Sequence, residues 1–535
     1  MSAPADWWPR ASARLERATG YPGWSMVGVV GGLVVMGVAM VGLYWDVAWH
    51  VDFGRDTEAF TMPHLLVVVG QLALVGVAIV TVLCATADAA PVRLRLWGLR
   101  IPGSAVLLVA FRLGGSVAFA LDDLWHRSYG LDVTLWSPPH LMLLAGGALS
   151  SVAIWLMLVE AGPVARPTAL GRAIHVVACA SILVGVSTAQ GEFDFGVPLT
   201  RVLVLPVLVM ASAGFVLVLS RLALGPGGAL KVVATFVVLR VAVALVVGAG
   251  LDRSVPHFAL YLAPALAVEL VAARLGTSRR LRFATGAGLA VATVGLAGEW
   301  AWAWAANGHH LAVAAWPLAL TLAVAGGVAG SILGAGLARV VPGGTTIGRT
   351  AMMGAALALA VALAVPLPRQ VGDVEAVLRL EAVGEQRALM VELSPPEAAE
   401  GADIFDVLSV HGGARVVTEL EADGPGRYVS AAGVPVSGSW KTVVRLYRGD
   451  EVMAVPVHLP ADPSVGAPEV PAVPERRVAF VDVNDLLLRE VHDGPAAVAW
   501  VVFAGLALVL GVWLVLLHRV TRALQVQPVR ETSTF

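Results

Sequence analysis

The chain has almost no thiol and almost no lysine. Its 535 residues include two cysteines, Cys84 and Cys179, each inside an apolar run. Disulfides and cysteine-based metal sites are therefore not expected. Lysine occurs only at 231 and 441, and the other cations are arginine, a bias that fits a GC-rich bacterial genome. Charged residues make up 14% and hydrophobic residues 58%. The formal net charge of −2 identifies no partner, and nothing points to nucleic acid. No Walker motif, Rossmann glycine pattern or nucleophile elbow occurs in a usable context, which leaves nucleotide-dependent and serine-hydrolase chemistry without an anchor.

What the chain does have is long apolar runs, at a mean hydropathy of +0.79. Runs of about 20 residues are enough to cross a bilayer. They recur near 25–45, 62–85, 103–121, 139–160, 173–190, 198–220, 231–251, 256–273, 283–302, 310–338, 347–366 and 496–518. The expected fold is a polytopic α-helical membrane protein of about twelve transmembrane helices. The first run is full length with no small-residue cleavage site after it, so a cleavable leader is not expected. Arg93, Arg95, Arg100, Arg166, Arg172, Arg221, Lys231, Arg274, Arg279, Arg280, Arg282, Arg339 and Arg349 fall in alternate loops. The other loops hold only Arg55, Arg127, Arg201 and Arg253. The positive-inside rule then places both termini in the cytoplasm of a bacterial inner or plasma membrane.

The expected organisation is a cytoplasmic segment 1–24, a transmembrane domain 25–366 of about eleven helices arranged as outward-facing hairpins, and an outer domain 367–459. A Pro-rich linker and juxtamembrane segment 460–495, a last transmembrane helix 496–518 and a cytoplasmic tail 519–535 follow. In 367–459, short alternating stretches such as RALMVELS, ARVVTELEA and WKTVVRLYRG are separated by Gly, Pro and Asp turns. About seven such strands predict an extracytoplasmic Ig-like β-sandwich.

One pattern occurs twice: Asp, three residues, His, thirteen residues ending in Pro, His. The copies are Asp46, His50, His64 and Asp122, His126, His140. Asp and His at i and i+4 share a helix face, and the second His can close on them from the next helix. Each copy offers the N/N/O set that holds a transition metal. The signs are also unusual: an acid at a helix C-terminus and a cationic His at an N-terminus both oppose the macrodipole. They must pair with each other or bind a cation. The plainer reading is a polar outer rim of hydrogen-bonded His, with Trp45, Trp49, Trp125 and Trp136 as an interfacial aromatic belt.

Other outward positions extend the series. His257, Glu299, His309 and His310 are candidates for additional metal ligands or a proton relay, with Glu192 and Asp194 as further candidates. Asp52, Asp56, Asp123 and Asp132 read as solvated loop acids. His411, His458, Met390 and Met453 could bind Cu(I), although Met at strand positions usually fills a core. Arg112 and Arg240 lie mid-segment, where a charge needs a partner or a wet cavity. Gln71 could serve Arg112, and Glu269 could serve Arg240.

The spacing of Asp46, His50, His64 and of Asp122, His126, His140 resembles the copper ligands in the PmoC-type subunit of particulate methane monooxygenase, over about 20 residues per copy. That resemblance implies copper, with iron and zinc as alternatives. GRYVSAAGVPVSGSWKTVVRLYRGDEVMAVPVHLP resembles the closing strands of YtkA-like and CopC-like domains, exported β-sandwiches linked to copper handling. The expected function is transition-metal binding at the extracytoplasmic face for acquisition, storage or delivery, with an exported metal chaperone or cuproenzyme as partner beside the lipid bilayer. The alternatives are a copper- or iron-dependent membrane oxidase or monooxygenase-like enzyme, which should carry a hydrophobic cavity beside the metal, and a membrane transporter. Transport is disfavoured, because the inner halves of the segments are nearly all Ala, Val, Leu and Gly.

Overall fold

A computed structural model describes residues 7–53, 61–129, 134–306, 311–383, 386–412, 414–463, 466–488 and 494–525. His309 and His310 lie outside the described residues, as do Arg55, Asp56 and Asp132. A short helix α1 (Trp7–Thr19) precedes the first long hairpin, α2 (Gly23–Phe53) and α3 (Met62–Ala87). A two-stranded hairpin, β1 (Leu94–Leu96) and β2 (Leu99–Ile101), leads to the second, α4 (Gly103–Tyr129) and α5 (Pro138–Ala161). Next come α6 (Ala169–Ser187), the single turn α7 (Gly191–Asp194), α8 (Val204–Leu224) and α9 (Gly228–Leu245). Then follow α10 (Leu262–Leu275), α11 (Arg280–Ala290), α12 (Leu296–Ala306), α13 (Trp316–Leu337) and α14 (Arg349–Ala364). Wide π turns extend α9 and join α11 to α12. Proline in the first turn starts α3, α5 and α13, where its missing N–H is not needed.

Among the described residues, ten helices are long and apolar enough to cross a membrane. The expected segments 256–273 and 347–366 fold differently, as the shorter α10 and α14. Pro256 lacks an N–H and keeps the residue before it out of the helical region. The chain accordingly has no helix over 253–261, and α10 begins only at Leu262. α10 still connects opposite ends of the bundle. Glu269 on α10 pairs with Arg221 at the end of α8 and accepts the N–H groups of Gly227 and Ala229 at the start of α9. At the other end of α10, the Tyr261 hydroxyl accepts from Gln190.

Arg240 therefore has a different partner from the expected Glu269. Its Nη2 lies 2.6 Å from Asp194 Oδ2, and its guanidinium lies 4.0 Å from the Tyr44 ring centroid. The Tyr44 hydroxyl donates to the same Asp194 oxygen at 3.1 Å. Sequence distance misled here: Glu269 is taken up by the turn between α8 and α9, and Asp194 comes from a one-turn helix within the bundle.

The second body is a β-sandwich formed by β3 (Glu375–Val383), β4 (Gln386–Ser394), β5 (Ile404–His411), β6 (Ala414–Gly424), β7 (Arg427–Ser430), β8 (Lys441–Arg448), β9 (Glu451–His458), β10 (Glu475–Ala479) and β11 (Val481–Asp482). The strand order is β10-β3-β4-β7-β6-β5-β8-β9-β11, with every ladder antiparallel. The sheet folds over on itself, so that Leu378, Leu389 and Val391 pack against Val407, Leu446, Met453 and Val455. The segment 460–495, expected as linker and juxtamembrane chain, supplies β10 and β11 and the single turn α15 (Val483–Leu487) before α16 (Ala496–Gln525). Its proline content masked the strand-forming alternation in ERRVA.

Strands β5, β8 and β9 are buried along nearly their whole length. One face fills the sandwich. On the other, Leu408, Val443, Tyr447 and Val452 pack with Leu199 and Val202, from the segment between α7 and α8. Carbonyls of that segment accept from the sandwich: Phe195 from Arg415, Gly196 from Arg445, Pro198 from Tyr447 and Leu199 from Arg369. Arg445 is fully buried and bidentate on Asp406, at 2.7 and 2.8 Å. Burial alone would lower the Arg445 pKa, and Asp406 more than offsets this, so it ends raised. Gly412 N–H donates to the carbonyl of Asp52. Asp52 is not a solvated loop acid: it is buried and accepts both the N–H and the hydroxyl of Ser254.

The Arg240–Asp194 pair sets a stability test. Arg240→Met or Asp194→Leu alone leaves a buried charge and should cost about 3–5 kcal/mol, whereas the double variant should cost much less than the sum. A double-mutant cycle of unfolding in mixed micelles measures this.

Candidate metal centre

The two Asp/His copies are built in the same register. Asp46 and His50 lie one turn apart on α2, seven and three residues before Phe53. Asp122 and His126 lie one turn apart on α4, seven and three residues before Tyr129. Each second histidine is the third residue of its helix, after an N-cap at Thr61 or Ser137 and with proline just before it. The aromatic neighbours match as well: Trp49 packs on Phe53 with ring centroids 4.8 Å apart, and Trp125 stacks on Tyr129 at 4.4 Å. Two hairpins, α2–α3 and α4–α5, thus carry one repeated unit.

Within each unit the three side chains converge, and their candidate ligand atoms lie within 4.8 Å of one another. Asp46 Oδ1 is 3.0 Å from His64 Nε2 and 3.7 Å from His50 Nε2. Asp122 Oδ2 is 3.1 Å from His126 Nε2, and Asp122 Oδ1 is 3.4 Å from His140 Nε2. In both units the two imidazole centroids are 5.6 Å apart. Donors about 2 Å from a shared tetrahedral metal sit roughly 3–3.5 Å from each other, so these spacings suit a common ion. Asp46 Oδ1 and Asp122 Oδ1 are shielded from solvent and face the histidine nitrogens.

The protonation of His140 follows from its partner. Its Nδ1 lies 3.0 Å from the Thr134 carbonyl, which can only accept. Nδ1 therefore carries the proton, and in the neutral ring the Nε2 lone pair faces Asp122 Oδ1. Two lone pairs at 3.4 Å repel unless a proton or a metal ion lies with them. Glu192 holds this arrangement from behind. It accepts the Thr134 hydroxyl at 2.5 Å and the N–H groups of Leu135 and Leu199 at 3.1 Å each. A backbone carbonyl that fixes the tautomer of a ligating His is a standard supporting contact at metal sites.

Both triads line one cavity of about 320 Å³. Its walls are mainly apolar, with Met36, Met40, Leu43, Val67, Leu143 and Leu144 among them. Val410 and Lys441 of the sandwich, with Leu487 and Leu488 from α15 and just beyond it, also border it. Arg112 and Gln71 also line it, but Gln71 Oε1 and Arg112 Nε and Nη2 are buried without a hydrogen-bond partner, so the expected pairing of the two is not made there.

The remaining sequence candidates lie elsewhere. Among the described residues, His257 and Glu299 join no such cluster. Glu299 is buried and accepts the Leu260 N–H, holding the chain ahead of α10. Asp194 is committed to Arg240 and Tyr44. His411 Nδ1 contacts the Ser439 hydroxyl, His458 Nε2 faces the Gly438 carbonyl, and Met453 is in the sandwich core. Asp123 is exposed and pairs with Arg127. Glu192 was the residue misjudged by sequence reading: an acid in an outward series looks like a ligand, and only the fold gives it three donors to satisfy.

No protein-family profile, curated protein or solved structure matches the chain.

The hydrogen-bond chain from Glu192 to His140 is testable without metal. In ¹⁵N-histidine NMR spectra of the metal-free protein, at a pH high enough to keep the ring neutral, His140 should show a fixed Nδ1–H tautomer. Glu192→Ala should replace it with a tautomer mixture, because the Thr134 carbonyl is no longer held.

Proposed function

We propose that the protein binds two transition-metal ions, one at Asp46, His50 and His64 and one at Asp122, His126 and His140. The observation that carries this reading is the convergence of two identical N/N/O sets, in the same helical register, on the wall of a single cavity. Copper is the first choice: it tops the affinity order for divalent ions at such ligands, and the PmoC-type resemblance points the same way. A set of two His and one carboxylate with open positions also suits iron, and zinc follows.

The apolar cavity favours one use of such a site over the others. A metal carrier has no need of it. A copper- or iron-dependent oxidase or monooxygenase-like enzyme acting on a membrane-dissolved molecule does. We therefore place the enzyme reading first, with acquisition, storage or delivery of metal to an exported chaperone or cuproenzyme second. Transport ranks last, because the cavity lining stops at Met36, Gln71, Arg112 and Leu144, part-way along their helices. In the enzyme reading a bound metal supplies the redox chemistry. The chain's residues orient it: Thr134 and Glu192 fix His140, the apolar wall positions the substrate, and the sandwich with α15 limits the entry of water.

The topology belongs to the same reading. Twelve passes, ten long and two short, leave both termini in the cytoplasm of a bacterial inner membrane. The sandwich and both triads then face the extracytoplasmic side. The opposite-end contacts of α10 and the arginine distribution support this.

Metal analysis tests the proposal. Purified protein loaded with copper and desalted should hold about two ions per chain. His50→Ala with His64→Ala should leave one, His126→Ala with His140→Ala should leave the other, and the quadruple variant none. A folded wild-type protein that retains no copper, iron or zinc after reconstitution would falsify it.

A further inference from the structure

We infer that the inner end of the cavity is a carboxylate-binding subsite, in which Arg112, with Gln71 beside it, takes the head group of an aliphatic acid. The acid's chain runs outward along the apolar wall toward the triads. The inference rests on the proposed function only for what the far end of that chain meets.

Arg112 is 6% exposed and lies near the middle of α4. Its Nε and Nη2 are buried without an acceptor, and among the described residues no carboxylate pairs with it. Gln71, on α3, is 7% exposed, and its Oε1 is likewise buried without a donor. Both residues line the cavity. The surrounding helices give up side chains to accommodate them. A Cβ at Gly115 would strike the Gln71 amide, and one at Gly146 would lie 3.2 Å from Arg112 Nη2. An unpaired charge at this depth is costly. Arg240 also keeps two nitrogens, Nε and Nη1, without an acceptor, but its charge is paired with Asp194 and stacked on Tyr44, and Arg112 has no such carboxylate among the described residues.

The repeat itself does not require the charge. Arg112 precedes Asp122 by ten residues, and the residue ten before Asp46 is Met36, which lines the same cavity. One hairpin thus places a thioether where the other places a guanidinium. A guanidinium fork matches the two oxygens of a carboxylate. With a rise of about 1.5 Å per residue, Arg112 sits about 15 Å along α4 from Asp122. A ligand that reaches both is elongated, and the wall between them, formed by Met40, Leu43, Leu143 and Leu144, is apolar. A cavity of 320 Å³ falls within the range of small-molecule sites.

The test uses the full chain in nanodiscs, chelator-treated and copper-loaded, with ω-fluorinated decanoate followed by ¹⁹F NMR. The methyl ester is the neutral control, acetate the small-anion competitor, and Arg112→Met and Arg112→Lys are the variants. The acid should bind in both metal states and outcompete the ester. Arg112→Met, which copies the Met36 hairpin, should weaken acid binding by about ten- to a hundredfold and leave the ester unchanged. Arg112→Lys should fall between. Equal binding of acid and ester, no effect of Arg112→Met, or competition by acetate as strong as that of unlabelled decanoate would each overturn the inference. Metal content of the same samples separates the two ideas: two ions bound without acid binding sinks this subsite alone, and acid binding without metal sinks the proposed metal function alone.

Discussion

The segment from Gln190 to Leu199 holds the two bodies of the protein together, and the site depends on it. Asp194 neutralises Arg240 inside the bundle and accepts from Tyr44, while its carbonyl takes the His257 N–H. The next carbonyls, from Phe195 to Leu199, turn outward and accept from four side chains of the sandwich. Two residues before Asp194, Glu192 reaches sideways to Thr134 and so to His140. A short irregular stretch packed among apolar helices is tolerated only where its polar groups are satisfied by protein. Here that satisfaction is also what seats the sandwich over the cavity.

The triads show how the conflict with the helix dipoles is contained. Asp46 and Asp122 stand near helix C-termini, where negative charge is unfavourable, and His64 and His140 stand at N-termini, where positive charge is. Each hairpin brings its acid against its own histidines, at 3.0–3.7 Å in one unit and 3.1–3.4 Å in the other. With His140 held as the Nδ1–H tautomer, a cation between its Nε2 and Asp122 removes the remaining repulsion. A proton can do this, and a metal ion does it with a fuller ligand set.

Local features of this chain were legible in its sequence. Apolar length and the Pro-His starts marked the hairpins, and i, i+4 spacing placed Asp and His on one face. Long-range features were not. The partner of Arg240 could not be read, because Asp194 and Glu269 are both acids at plausible distances and only the fold separates them. Asp52 read as a loop acid because nothing local announces Ser254, 202 positions away. The segment 256–273 reads as a full span because composition does not record where Pro256 delays a helix start. The last strands were hidden in proline-rich sequence, since β-pairing depends on the partner edge more than on the segment. The docking of the sandwich was not legible: β5, β8 and β9 are buried along nearly their whole length, yet Asp406, Ser409, Thr442 and Arg445 interrupt the apolar residues of β5 and β8, so their sequences give no sign of a second buried face.

The central claim is that the two triads are nitrogen- and oxygen-donor metal sites, and the cavity offers a rival in the thioethers of Met36 and Met40. X-ray absorption at the copper edge of the loaded protein distinguishes the two. The account predicts a first shell of nitrogen and oxygen at about 2.0 Å with the outer-shell scattering of imidazole, and no sulfur. A sulfur shell at about 2.3 Å, or a spectrum without imidazole scattering, would contradict it.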